Sequence, residues 1–238
     1  MRAVALLSLL LSSIYSINAE NIQYELFSEG SVSQIRGALG DLESVNVRDS
    51  HDMTPLMWAA KDNPDEAVIN FLIESGSEID ARDDRGESAI MKAAGYNGNP
   101  EVLTALADAG ARVDRRYGYL GRTPLMLAAG LNENPEIITL LLERGASLAQ
   151  EDNTVLHWTP LFYAVSWNAN PAVTEALLEA GDDPNRRSRR MNRTPLMEAV
   201  VNHAPPPVIE TLLEAGADPT VRGPRGVTLL MEEAAFAE

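Results

Sequence analysis

An all-α solenoid of stacked helix–turn–helix units is the fold this sequence predicts, and three observations predict it. A short opening recurs as Thr54-Pro-Leu-Met, Ser88-Ala-Ile-Met, Thr123-Pro-Leu-Met, Thr159-Pro-Leu-Phe, Thr194-Pro-Leu-Met and Thr228-Leu-Leu-Met, at intervals of 34, 35, 36, 35 and 34 residues. An apolar run closing on glycine follows five of these openings, at Gly76, Gly110, Gly145, Gly181 and Gly216. Asn-Pro steps lie between opening and close in most copies, so each unit carries two helix starts. A pair of helices this short cannot bury both of its apolar stripes alone, so successive units must stack.

Residues 121–156 show the plan most plainly. Thr123 suits an N-cap and Pro124 the first helical position, where a missing N–H costs nothing. Leu125, Ala128 and Ala129 give one apolar stripe. Asn134 and Pro135 repeat the device, Ile137, Ile138, Leu140, Leu141 and Leu142 give a broader stripe, and Gly145 supplies the left-handed residue that stops the helix.

The chain divides in order as follows. Residues 1–19 read as a signal peptide: Met1-Arg2, the apolar run Ala3 to Leu11, then small and polar residues up to Ala19. The run is too short for a comfortable membrane span. Export to a periplasm or beyond the cell is therefore expected, with no membrane span left after cleavage. Residues 20–50 read as a degenerate N-terminal capping repeat. Five repeats follow, at 51–85, 86–120, 121–156, 157–191 and 192–226, and residues 227–238 close the stack as a capping helix. Asn63-Pro64 sits two places earlier than the later Asn-Pro steps, so the second helix of the first repeat is expected to start earlier. In the fifth repeat, His203-Ala-Pro-Pro-Pro207 puts Pro205 where the capping asparagine belongs. Losing a cap costs about 1 kcal/mol, which makes this end the likelier to fray.

A period near 33 residues, a Thr-Pro-Leu-x-x-Ala opening and a Leu-Leu-x-x-Gly-Ala-Asp close resemble the ankyrin repeat. The resemblance covers roughly residues 21–238. It implies short β-hairpin fingers between repeats, a concave groove lined by finger tips and first-helix ends, and protein binding rather than catalysis. Two departures stand out. The usual histidine after Thr-Pro-Leu is Met57, Met91, Met126, Phe162 and Met197, which reads as core packing. The turn between helices is Asn97-Gly-Asn-Pro, Asn132-Glu-Asn-Pro and Asn168-Ala-Asn-Pro, one residue longer than the common form.

Composition limits the chemistry. The 238 residues contain no cysteine, which excludes disulfides, thiolate metal sites and a cysteine nucleophile. Net charge is −16, a field that repels nucleic acid and favours basic partners. Most arginines nevertheless fall between repeats, from Arg82 and Arg85 to Arg222 and Arg225, so the fingers should be mixed or basic and the back acidic. His51 and His157 lie three repeats apart in register, too far to share a metal, His203 belongs to a different loop, and no nucleophile or phosphate-cradling motif appears. No catalytic residue, metal site or cofactor is expected, and a monomer is.

Carried over by register, Tyr96, Leu131 and Trp167 form a row at first-helix ends, while Tyr119, Arg122, Trp158, Arg190 and Arg193 belong to the fingers. Tyrosine, tryptophan and arginine often dominate binding energy. The expected site has anchors at Tyr96, Tyr119, Trp158 and Trp167, with Leu131 in the same row and Arg122, Arg190 and Arg193 setting orientation. The plainer reading of Trp158 is packing under its own finger. The functional expectation is a non-enzymatic scaffold holding a partner protein in the groove, as an inhibitor or immunity-type protein. The alternative is a structural or chaperone-like accessory of an envelope assembly or periplasmic enzyme.

Overall fold

The computed structural model describes residues 25–39, 45–223 and 226. The segments read as signal peptide and C-terminal capping helix lie outside the described residues. After a helical stretch at 25–29, the elements are α1 (Val32–Leu39), α2 (Pro55–Asp62), α3 (Glu66–Glu74), α4 (Ala89–Tyr96), α5 (Pro100–Asp108), α6 (Pro124–Leu131), α7 (Pro135–Glu143), α8 (Pro160–Trp167), α9 (Pro171–Glu179), α10 (Pro195–Val201) and α11 (Pro206–Glu214). The first helices α2, α4, α6, α8 and α10 pack in sequence as an inner layer. The second helices α1, α3, α5, α7, α9 and α11 pack in sequence as an outer one. One buried core runs between the layers from Phe27 to Ala217, the continuous interior of a solenoid.

Local chemistry sets the helix ends. Thr54, Thr123 and Thr194 accept the N–H of Met57, Met126 and Met197, while Ser88 and Thr159 make no such capping bond. Asn99, Asn134 and Asn170 cap the second helices through Glu101, Glu136 and Ala172. Gly76, Gly110, Gly145, Gly181 and Gly216 stop them with φ between +89° and +94°, a region that only glycine enters cheaply. Met57, Met91, Met126, Phe162 and Met197 are all buried, as packing residues should be.

Two expectations need correction. The second helix of the first repeat starts in register, because Asp65 is its N-cap and bonds the N–H of Ala67. Asn63 answers to the first asparagine of the Asn-x-Asn-Pro turns, not to the second. The fingers, in turn, are not β-hairpins. Among the described residues they are turns, each closed at its base by backbone bonds such as Asp83 N to Glu87 O, and a single bridge pairs Tyr117 with Arg122.

The reason for the longer turn is an asparagine ladder. The Asn97 amide donates to Ala60 O (3.1 Å) and Asn63 O (2.8 Å), Asn132 donates to Ala94 O and Asn97 O (both 2.9 Å), and Asn168 to Ala129 O (3.1 Å) and Asn132 O (2.7 Å). Asn63 starts the ladder on Phe27 O and Gly30 O. Each of these side chains is buried and satisfies carbonyls at the end of the preceding inner helix, which would otherwise be left without partners. The ladder stops at the fifth repeat. Asn202 bonds Glu198 O of its own helix, and Pro205 stands at the N-cap of α11 without a side-chain capping bond.

One position breaks the repeat pattern at a cost. The residue after the helix-stopping glycine is buried in every copy: Ser77, Ala111, Ala146, Asp182 and Ala217. Asp182 therefore puts a carboxyl in a slot made for a methyl group. Its Oδ2 has no hydrogen-bond partner, and Arg186 Nε lies 3.8 Å from Oδ1. Burial pushes its pKa up to about 6, although the Asp183 N–H and Arg186 oppose the rise. A pKa raised on folding means that the native state holds the proton more tightly. Stability from this group is full at acid pH and is lost as pH climbs from the ordinary value of 3.8 to about 6. Asp182→Ala should stabilise the protein by about 2 kcal/mol at pH 7. Urea titrations at both pH values should show that this gain largely disappears at pH 4; an equal gain at both would mean that ionisation is not the cause.

Candidate partner-binding face

Each finger is tied to the inner helix that follows it by a pair of residues. Asp49 accepts the Trp58 indole N–H (2.9 Å), Asp83 pairs with Lys92 (2.6 Å), and Asp152 accepts the Tyr163 hydroxyl (2.8 Å). In the third repeat the same two places hold Tyr117 and Leu127, which share a small apolar cluster with Met91. In the fifth, Arg193 reaches Glu198 at 3.5 Å. Burial raises the Tyr163 pKa, and the bond to Asp152 adds to it. For Lys92, burial would lower the pKa, but hydrogen bonds and charge from Asp83 and Glu87 outweigh it and the net shift is upward. These ties fix where the finger tips stand above the groove.

The sequence reading missed these tie residues. A signal for them exists, since the fourth residue after each capping Thr or Ser changes chemistry in step with the finger base: Trp with Asp, Lys with Asp, Leu with Tyr, Tyr with Asp.

Against this frame the expected site residues separate. Tyr96, Tyr119, Leu131 and Trp167 are exposed, with Tyr119 at 82% and Trp167 at 52%. Arg190 is exposed at the fifth finger. Of the two readings of Trp158 the structure favours packing over display as an anchor, since only 7% of it is accessible and it stacks on Phe162 with ring centroids 6.3 Å apart. Arg122 and Arg193 are mostly covered and spend their charge inside the protein, on Glu87 at 3.3 Å and Glu198 at 3.5 Å. The reason in all three cases is position. The residue just before the capping Thr or Ser turns under the finger, as Met53 and Glu87 also do.

Trp158 serves the site indirectly. Trp167 meets Tyr163 edge-on at 4.9 Å and Trp158 at 5.8 Å, so the exposed indole stands on a rigid aromatic base. Gly130 makes room for it, because a Cβ there would lie 3.2 Å from the Trp167 ring. Trp158→Ala should cost about 3 kcal/mol in chemical denaturation, whereas Trp167→Ala should cost under about 1 kcal/mol. Equal losses would remove the distinction between support and surface.

Val155 (61%) and Met191 (39%) are exposed at the finger tips beyond Tyr119, an apolar row parallel to Tyr96, Leu131 and Trp167. A cleft of about 520 Å³ opens between Tyr96 and Leu131. On the opposite, outer face Glu66 stands beside Glu101, and proton sharing and like charge between the two carboxyls raise the Glu66 pKa. Among the described residues no three or more His, Asp or Glu side chains converge to hold a metal, and no helix is long and apolar enough to cross a membrane. His51 pairs with Asp84 at 3.3 Å, and His157 lies 3.9 Å from Glu151.

Comparison with known proteins agrees with this architecture. The chain matches the family described as ankyrin repeats (3 copies) in four overlapping stretches, residues 13–117, 56–152, 90–188 and 125–223. The crystal structure of the human ASB11 ankyrin repeat domain is similar over 90% of this chain and 96% of that one, with 20% sequence identity and a TM-score of 0.74, a likeness of fold. No curated protein matches the chain. From the repeat register, the stacked hairpins and the family match together, this chain belongs to the ankyrin-repeat family, whose members serve generally as non-catalytic protein–protein interaction modules.

Proposed function

We propose that this protein holds a partner protein on the concave face formed by its finger tips and inner-helix ends, and performs no chemistry of its own. One observation carries the reading. Of the seven large apolar side chains exposed among the described residues, six lie in the two parallel rows of this face: Tyr96, Leu131 and Trp167 in one, Tyr119, Val155 and Met191 in the other. The outer face contributes only Leu213. Monomeric surfaces rarely gather apolar groups this way unless something covers them. The rows are also prepared for binding, since rigid aromatic anchors lose little entropy when a partner arrives.

The proposed setting is outside the cytoplasm. The apolar run from Ala3 to Leu11 behind Met1-Arg2 supports this, with cleavage after Ala19. N-terminal sequencing of the mature protein should begin at Glu20; an intact Met1 would remove the export proposal. In such a setting, blocking a partner enzyme as an inhibitor or immunity-type protein is the role proposed.

The face itself is tested by affinity capture followed by variants. A captured partner should be lost with Tyr119→Ala and Trp167→Ala and kept with Glu143→Lys, Glu179→Lys and Glu214→Lys, which change the exposed ends of outer helices. The opposite pattern would transfer binding to the acidic outer face and favour the accessory role.

A further inference from the structure

Glu133 is exposed and lines the cleft between Tyr96 and Leu131, but the charge around the finger row differs from that of the whole chain, and it identifies the partner's chemistry. Residues 115–122 carry three arginines and no acid, and residues 186–193 carry five arginines and no acid. The finger between them contains two carboxylates, but both are already answered. Glu151 accepts from Arg189 at 2.8 Å, and Asp152 is buried against the Tyr163 hydroxyl and the N–H groups of Thr154 and Trp158. Arg115 and Arg190 remain exposed on the two basic fingers, on either side of Val155. Of the 35 acids in the chain, ten lie on the outer helices α3, α5, α7, α9 and α11, among them Glu66, Glu101, Glu143 and Glu179.

Which field a docked molecule feels depends on distance. Packed helix layers lie about 10 Å apart, and the screening length in physiological salt is about 8 Å. The outer-face acids are thus mostly screened from the finger tips, whereas the finger arginines touch whatever docks. Net charge alone suggests a basic partner, but the local field reverses that. Resting on the reading that the concave face is the binding surface, we propose that its occupant is an acidic amphipathic segment. Apolar side chains of that segment lie on Tyr96, Leu131, Trp167 and Val155, and its Asp or Glu side chains meet Arg115 and Arg190. Three repeats span about 20 Å at this layer spacing, and an amphipathic helix of about 16 residues, roughly 24 Å long, covers them.

Two synthetic peptides of about 16 residues test this by fluorescence anisotropy with the full chain. Both carry the same leucine and phenylalanine stripe; one has glutamates on its polar face and the other lysines. The acidic peptide should bind at least tenfold more tightly despite the overall charge of −16, and its affinity should fall with added salt. Arg115→Glu with Arg190→Glu should weaken it tenfold or more, and Trp167→Ala should do likewise. Glu143→Lys with Glu179→Lys should leave it unchanged. Equal or tighter binding of the lysine peptide, lost with Trp167→Ala, would overturn the proposal while leaving the concave face as the binding surface. Binding of neither peptide would overturn it too. The general reading would then stand or fall on whether the captured partner needs Tyr119 and Trp167.

Discussion

Asn132→Ala lowers the unfolding free energy by about 4 kcal/mol in urea titration, the largest loss expected from any single asparagine. The side chain is 5% exposed, donates to Ala94 O and Asn97 O, and accepts from Asn134 N. Alanine removes all three bonds and leaves two carbonyls of the neighbouring repeat buried without donors, each costing about 1–3 kcal/mol. The effect should also be visible in the shape of the transition. Stacked repeats unfold together only while their interfaces are strong, and Asn132 ties the third repeat to the second. A weakened tie should broaden the transition or split it, lowering the apparent m-value. Asn202→Ala is the internal control. Its amide bonds Glu198 O of its own helix and reaches the preceding repeat only at Ser166 Oγ, 3.3 Å away, so its loss should stay below about 1 kcal/mol. Comparable losses at both positions would mean that the ladder does not couple the repeats.

Lys92→Leu should cost about 4 kcal/mol, although leucine is the residue found at the same place in the next repeat. Lys92 is 6% exposed and holds Asp83 at 2.6 Å and Glu87 at 2.7 Å, with Arg122 closing the cluster on Glu87. Removing the ammonium leaves two buried carboxylates with one cation between them. A buried pair broken on one side loses far more than the pair contributed, whereas replacing all its members together is often neutral. The combination Lys92→Leu, Asp83→Asn, Glu87→Gln should therefore recover most of the loss. Asparagine at 83 still offers the oxygen that accepts Arg85 N and Glu87 N at the finger base. Since the Lys92 pKa is raised on folding, its contribution is present throughout the neutral range and is lost only as pH rises through the folded value. A triple variant no more stable than Lys92→Leu alone would show that the finger needs the charges themselves.

The repeat register, the helix starts at Thr-Pro and, beyond the first repeat, at Asn-Pro, the glycine stops and the buried methionine row were legible in the residues. Local capping, fixed φ and 3.6-residue periodicity each act within a few positions, so the chain records them directly. Exposure at Tyr96, Leu131 and Trp167 was legible too, because a first-helix end faces outward in every repeat. Arg122 and Arg193 were not, and for Trp158 the residues left display and packing under its finger both open. Their positions beside finger tips suggest display, yet each turns under its finger, and only the placement of Phe162, Glu87 and Glu198 reveals that. The asparagine ladder hides for the same reason: a turn one residue longer gives no hint that its first side chain will find carbonyls about 36 residues back. What the sequence decided about this protein is therefore its units and their limits, through forces that reach one turn of helix. The stacking of those units decided which tryptophan is support and which is surface, and which charges face a partner. Burial, pairing and screening depend on groups a full repeat away in the chain.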